Sequence, residues 1–372
     1  MANLFDYLLW RGDLDFTQSP FNPVDNIILS QLSYLPLDGI VSGPGENGIG
    51  ISAAVNILNE KINNSTPELR PRMMYKDDPA LIKALISSNR FGNCQLFGYV
   101  NHIDHARDVQ FSAVSIHIGD GSCFIAFRGT DLSLAGWKED LNMGFKDVIP
   151  SQLEAVDYLE KMASMINGAL RVGGHSKGGN LAVYAASYCR KEIKKRITEI
   201  YSNDAPGFNE KVIKSEGYAE IRERIKLVVP QASVVGMLLE HGCDYSVIKS
   251  SQAGLLQHTL YSWEVTHNDM VYVDKVTVGS RFVDKTLKEW IGNLDNERRE
   301  KFLDGLYSIL DASGVKSISE LEKSWLKAAG RMVKSLGNID DSTKQHLRKT
   351  MRELFLSASR NIDTLLKPEE NE

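Results

Sequence analysis

The sequence predicts an α/β fold: a mostly parallel sheet flanked by helices, with N-terminal helices before it and a helical C-terminal extension after it. Three patterns predict this. Strand and helix signals alternate between residues 151 and 230, two β-rich runs joined by Gly and Asp lie just upstream, and no convincing strand follows about residue 282. A chain of 372 residues can bury one large core with an appendage, and the change of pattern divides it into residues 1–281 and 282–372.

Composition narrows the function classes. A hydrophobic fraction of 42% with 24% charged residues is that of a soluble globular protein. The 43 basic and 48 acidic residues are well mixed and leave no basic run to follow a phosphate backbone, so nucleic acid is not an expected partner. Asp6, Arg11 and Asp13 interrupt the N-terminal apolar stretch too early for a signal core, and no apolar run approaches the roughly 18 residues of a transmembrane segment. Cys94, Cys123, Cys189 and Cys243 are far apart and form no CxxC pair. They read as idle thiols of a reducing cytoplasm, with neither a metal site nor a disulfide framework.

The elements follow in order. Residues 1 to about 90 are expected to be mainly helical, broken at "VSGPGENGIG" (41–50), where Gly and Pro cluster. "DVQFSAVSIHIGDGSCFIAFRGT" (108–130) reads as a hairpin turning at Gly119-Asp120-Gly121. Ser151 and Glu154 match a capping box, opening a helix with the stripe Leu153, Val156, Leu159, Met162 and Met165. A strand "ALRVGG", a helix "NLAVYAASYCRKEI", a strand "ITEIYSN", a helix over 209–224 and a strand "IKLVVP" complete the alternation. Farther on, the stripes Ile318, Leu321, Trp325, Ala329, Met332, Leu336 and Leu347, Met351, Leu354, Ala358, Ile362, Leu365 are helix-spaced, and Ser317 with Glu320 is another capping box. Three or more helices are expected there.

One motif carries chemistry. Gly174-His175-Ser176-Lys177-Gly178 satisfies G-x-S-x-G between a predicted strand and a predicted helix, the context in which a sharp turn exposes a serine Oγ at a helix N-terminus. The bland alternative is a glycine-rich loop. A serine nucleophile needs a histidine base and an orienting acid, which follow it in the α/β-hydrolase order. His258, in "GLLQHTLYSWEV", is favoured as the base over His267, a turn residue of "EVTHND", with His241 and His346 the other downstream histidines. Asp204 ends a β-rich run before Pro206 and Gly207, on the strand edge where open parallel sheets place their sites, and is favoured as the acid over Asp244 and Asp269. The N–H of Thr130, after a strand ending in Arg128-Gly129, and the N–H of Lys177 are the expected oxyanion donors.

These residues resemble a known pattern. "FIAFRGTDLSLAGWKEDL", with Trp137 and Asp140, is similar to the oxyanion segment of class 3 lipases, and "VGGHSKGGNLAVYAA" to their nucleophile elbow. A closer resemblance, over roughly residues 1 to 290, is to a bacterial family of lipase-like α/β-hydrolases of unassigned function, carried also by "NLFDYLLWRGDLDF", "NDAPGFN", "VPQASVVGMLLEH" and "QHTLYSW". Class 3 lipases take their acid from the strand after "NDAPGF", a position that falls near Ser233, where no carboxylate stands. Asp204 resembles instead the acid of pancreatic-type lipases. Either the triad has moved its acid or it is incomplete.

The expectation is thus an α/β-hydrolase fold and a cytoplasmic lipase- or esterase-like serine hydrolase with the triad Ser176, Asp204 and His258, cleaving a small-molecule or lipid ester without metal or organic cofactor. Leu132, Leu134 and Trp137, with Met237, Leu238 and Leu239, could form a lid or acyl-chain wall, or belong to the core. The alternative is a catalytically weak or inactive scaffold protein of the same fold. The C-terminal stripes could pack on the core, cap the serine or join a homodimer.

Overall fold

A computed structural model of the chain describes residues 1–302, apart from 67–68, 105, 108, 131–138, 140–141, 144–145, 295–297 and 299–300, together with residues 305 and 341–362. Helices α1 (Leu4–Arg11), α2 (Pro23–Leu32), α3 (Ile51–Asn64) and α4 (Asp78–Ser87) come first. Among the described residues nine strands form one sheet in sequence order. β1 (Ile49–Gly50), β2 (Gln95–Asp104), β3 (Val109–His117) and β4 (Cys123–Phe127) pair antiparallel. From β4 the sheet continues in parallel through β5 (Leu170–His175), β6 (Ile197–Asn203), β7 (Ile225–Pro230) and β8 (Ser246–Ile248), and β9 (Tyr272–Val273) closes the far edge antiparallel.

The pleat of β4 shows how the two faces divide. Phe124 and Ala126 join a cluster with Leu4, Val24, Ile27 and Ile28, whereas Cys123, Ile125 and Phe127 join one with Leu159, Leu181 and Ala182. Parallel strands added in one direction with right-handed crossovers put their connecting helices on one face. Those helices are α5 (Pro150–Met165), α6 (Lys177–Tyr188) and α7 (Glu216–Ile221). The other face must be covered by something else, and the N-terminal helices cover it.

α2 lies at the centre of that second layer. Asn22 and Asp25 form a reciprocal capping box around Pro23 at its start, and every residue from Val24 to Leu32 is buried. Its buried polar side chains find partners, although Gln31 Oε1 has none among the described residues. Asp25 takes Arg90 at 2.6 and 2.7 Å and the Tyr7 hydroxyl at 2.7 Å, and Gln31 donates to Asp78 at 3.1 Å.

Several sequence expectations are corrected. α5 is capped by the Gln152 side chain reaching back to the Ile149 N–H, with Pro150 in the first turn, so Ser151 and Glu154 form no capping box; Ser151 is buried inside the helix. The middle of the expected stripe holds, with Leu159 and Met162 buried and Val156 packed against the same cluster, but its ends do not: Leu153 is 55% and Met165 48% exposed, while Ala155 and Tyr158 are buried instead. The continuous helix expected over 209–224 is interrupted, because the Asn209 and Ser215 side chains accept from the N–H groups of Val212 and Tyr218 and each starts a new short helix. β1, β2, β8 and β9 were not anticipated. The hairpin of β3 and β4 and the parallel strands β5, β6 and β7 stand where the sequence placed them.

In the C-terminal part, α8 (Val278–Gly292) packs on α9 (Asp341–Asn361), with Trp290 Nε1 donating to the Thr350 carbonyl at 3.0 Å. α8 runs across residue 281, and its N-terminus is tied to the core where the Thr277 N–H donates to Gln231 O at 2.7 Å and Ser280 Oγ donates to Ser233 O. Ile318 to Leu336, Ser317, Glu320 and Leu365 lie outside the described residues, as do Leu132, Leu134, Trp137 and Asp140. Of the second stripe, Leu347 is buried while Met351 and Ile362 are exposed. Among the described residues no helix is long and apolar enough to cross a membrane.

Candidate active site

β5 is buried apart from the half-buried Arg171 and ends at His175; Ser176 follows with φ 57° and ψ −135° before α6 begins at Lys177. A non-glycine residue in this region is strained, and such residues persist where surrounding contacts hold them. Here the Ser176 N–H donates to Asn203 O at 2.9 Å and its carbonyl accepts from Gly179 at 3.0 Å. The flanking glycines are steric requirements. A Cβ on Gly174 would stand 2.4 Å from Phe127 O, and one on Gly178 2.1 Å from the same atom. The end of β4 also presses on the elbow: a Cβ on Gly129 would meet Tyr34 Oη at 2.1 Å, His175 O at 2.6 Å and Ser176 Cβ at 3.1 Å. Thr130, buried, follows directly.

The neighbouring strand β6 ends at Asn203, and Asp204 turns with φ 46°. Its N–H donates to Val228 O at 2.8 Å. The carboxylate is buried, and each oxygen is occupied. Oδ1 accepts from Ser233 Oγ at 2.5 Å and from the Gly236 N–H at 3.0 Å, and Oδ2 accepts from His258 Nδ1 at 2.6 Å. A hydrogen held on Nδ1 by this contact selects the tautomer in which Nε2 is the accepting nitrogen. His258 is about one quarter exposed (26%) at the end of a short 3₁₀ stretch, anchored by Trp263 Nε1 donating to Gln257 O at 2.9 Å. Ser233, where the class 3 lipase resemblance would put an acid, is thus a hydroxyl donor to Asp204.

A second histidine stands beside the first. The rings of His175 and His258 lie 4.3 Å apart, and His175 Nε2 donates to the His258 carbonyl at 2.7 Å. Burial, with His258 facing it, pushes the His175 pKa well below the usual histidine value, so the ring is neutral. The Lys177 ammonium is also fully buried, donating to Gln110 O, Gln110 Oε1 and Glu139 Oε2 at 2.7–2.9 Å. This lysine ties the N-terminus of α6 to the segment beyond the Gly129 turn.

The alternative residues are elsewhere. His267 lies against Trp10, ring centroids 4.8 Å apart and tilted by 30°, and Arg11 Nε donates to its carbonyl. Asp269 accepts from the Met270 N–H and the Tyr272 hydroxyl within its own turn. Asp244 lines a cleft of about 340 Å³ beside Tyr245, Lys226 and Tyr272, which contains none of Ser176, Asp204 and His258. His241 Nε2 donates to Gly236 O at 2.7 Å, and its pKa is lowered by burial. Met237 packs with Val229, Val247 and Val276, as a core residue does.

The family model of the Mbeg1-like family matches residues 85–308. The chain belongs to the Mbeg1-like family. The matched span contains Ser176, Asp204 and His258 and leaves out α1, α2 and Tyr34. Among solved structures, the chain is similar to the Rhizomucor miehei lipase propeptide complex in a two-residue deletion mutant, at 14% identity and a TM-score of 0.37, covering 68% of this chain and 93% of that one. The native form of that complex matches at 14% identity and a TM-score of 0.34, covering 73% and 94%. No curated protein matches the chain.

Sequence reasoning did not single out the side chains of Tyr34, His175, Ser233, Lys177 and Glu139. His175 and Lys177 stood inside the motif, where only the backbone of Lys177 was considered. Tyr34 and Glu139 carry no local signal, since their importance comes from what the fold brings to them.

Proposed function

We propose that the chain is a serine hydrolase of lipase or esterase type, built on an α/β-hydrolase fold, that cleaves a carboxylic ester through Ser176, Asp204 and His258. The observation that carries this reading is the 2.6 Å hydrogen bond from His258 Nδ1 to a buried, otherwise satisfied Asp204, beside a serine held in a left-handed turn. Membership of a lipase-like family supports it. In the mechanism, His258 Nε2 takes the Ser176 proton as Oγ attacks the ester carbonyl. Asp204 orients the ring and stabilises the imidazolium. The N–H groups of Thr130 and Lys177 hold the oxyanion, the latter at the positive end of the α6 dipole. His258 then protonates the leaving alcohol and activates water to release the acyl-enzyme. Acyl and lipid esters are the proposed substrates, and residues 1–281 contain every group the scheme uses.

One observation favours a second reading, a binding or scaffold protein: no hydrogen bond joins Ser176 Oγ to His258 among the described residues. Catalytic contacts of this kind are often long without substrate. Labelling with a fluorophosphonate decides between the two. Covalent modification that disappears in Ser176→Ala is the expected result, and a full-length, folded protein that no serine-directed reagent modifies would overturn the hydrolase reading.

A further inference from the structure

The helical layer that lies outside the family-matched span reaches the site from behind the sheet. Along α2 and the turn that ends it, Asn26, Ser30 and Tyr34 recur every four residues and form a polar stripe. The stripe meets the ends of β5 and β6. Asn26 and Asn203 exchange two side-chain hydrogen bonds at 2.9 and 3.1 Å, and Asn203 Nδ2 also lies 3.2 Å from Ser30 Oγ and 3.0 Å from Gly174 O. At the end of the stripe, Tyr34 Oη is 3.1 Å from His175 Nδ1 and 3.2 Å from His175 O.

The hydrogens on His175 follow from its partners. A carbonyl can only accept, so the 2.7 Å contact to His258 O places a hydrogen on His175 Nε2. The ring is neutral, so Nδ1 is bare and is the nearer of two acceptors, with His175 O, that share the Tyr34 hydroxyl hydrogen. Around the ring stand Tyr34, His258 and, edge-on at 6.4 Å, Trp263. Two consequences follow for the base. Its main chain is pinned from the nucleophile strand, and the ring face turned to His258 carries no charge when His258 itself becomes cationic.

We propose that Tyr34 and His175 are positioning residues for the base: the chain of hydrogen bonds Tyr34 Oη to His175 Nδ1 and His175 Nε2 to His258 O lets the N-terminal helical layer hold His258 against Asp204. This rests on the reading of His258 as the base, but the arrangement itself is readable without turnover. Neither residue touches substrate or the reacting atoms in this account.

Two measurements on the full chain test it. In nitrogen-15 spectra of the histidine rings from about pH 5.5 to about pH 8, His175 is expected to stay neutral with its hydrogen on Nε2, and the His258 Nδ1–H resonance is expected to persist in the wild type and in His175→Gln but to be lost to exchange in His175→Leu. Glutamine is the informative substitution because its amide N–H can still reach the His258 carbonyl. For hydrolysis of a short-chain p-nitrophenyl ester, His175→Leu should lower kcat on the order of 100-fold at nearly constant KM, His175→Gln should stay within about threefold of wild type, and Tyr34→Phe should fall between them.

A His175 that titrates in this range or carries its hydrogen on Nδ1 would overturn the proposal, as would equal losses in the Leu and Gln variants or an unchanged His258 resonance in His175→Leu. Failure of the hydrolase reading would look different: no turnover in any variant, with the ring spectra still reporting whether His175 holds His258.

Discussion

Adjacent strands deliver Ser176 and Asp204 by different means. β5 and β6 pair in parallel with His175 opposite Asn203, and each runs directly into a non-glycine residue of positive φ, Ser176 at 57° and Asp204 at 46°. At Ser176 the sharp turn is made possible locally, by glycines at 174 and 178 that leave room for Phe127 O. Asp204 has no such neighbours; Asn203 and Ala205 flank it. Its conformation is held by Val228, Ser233, Gly236 and His258, and by α2 through Asn26 and Asn203. One turn is marked by glycines within five consecutive residues, set against the neighbouring strand end; the other depends on side chains gathered from across the assembled fold.

That contrast can be broken or sharpened by substitution. The largest effect is expected for Asp204→Asn, which preserves the shape of the turn while removing the carboxylate that orients His258; turnover should fall on the order of 10⁴-fold with little change in thermal stability. Near-normal turnover, with the loss appearing in Asp244→Asn or Asp269→Asn, would reassign the acid. Gly178→Ala addresses the elbow and should act on the fold first, since the new Cβ would meet a backbone oxygen that cannot move freely. A loss of about 3 kcal/mol in urea unfolding is expected, and unchanged stability would show that the turn has room to spare.

Ser233→Ala removes one donor from Asp204 and leaves the others. A hydrogen bond to a charged group is worth about 1.5–3 kcal/mol, so turnover should drop at least about tenfold and folding stability should fall by no more than about that amount. If stability falls and turnover does not, Ser233 serves the fold rather than the acid.

The smallest effect concerns acid. His175 has a folded pKa well below the ordinary 6.5, so below that value the unfolded chain takes up a proton that the folded chain does not. Its contribution to stability is present above about pH 6.5 and is lost as the pH falls from there toward the folded value, by at most about 1.4 kcal/mol per pH unit. His241 acts in the same direction, whereas buried Asp78, with its pKa raised by desolvation, acts in the opposite one. Comparing melting temperatures of wild type and His175→Gln at about pH 7 and about pH 5.5 isolates the His175 share. The variant should lose less stability on acidification; an equal loss would mean that His175 is not the buried neutral group described.

Legibility in the sequence followed the range of the interactions involved. The β3–β4 hairpin was readable from a Gly-Asp-Gly turn between β-rich runs, and β5 to β7 from apolar segments separated by helical spacing. The ends of the α5 stripe were misread, because at the start of the helix it is Gln152 that faces inward, capping the N-terminus and donating to Asn180 at 2.9 Å, and Leu153 faces outward. The 209–224 helix was misread because Asn209 and Ser215, two side chains able to cap, each restart the helix. The N-terminal segment read correctly as helical, but nothing local indicated that it forms the second layer of the sheet.

For the site, the residues alone determined that Ser176 stands on a tight strand-to-helix turn, because the collisions that demand glycine at 174 and 178 occur within one short stretch and its immediate neighbour. They also narrowed the histidines and carboxylates proposed to serve Ser176 to a few candidates. Which carboxylate meets which histidine was decided only by the tertiary structure, which carries residues 204, 233, 236 and 258 to one point. So was the support of Tyr34, 141 positions before His175. Hydrogen bonds between side chains so far apart leave no periodicity in a sequence; they exist only once the sheet has brought its strand ends together and buried α2 beneath them.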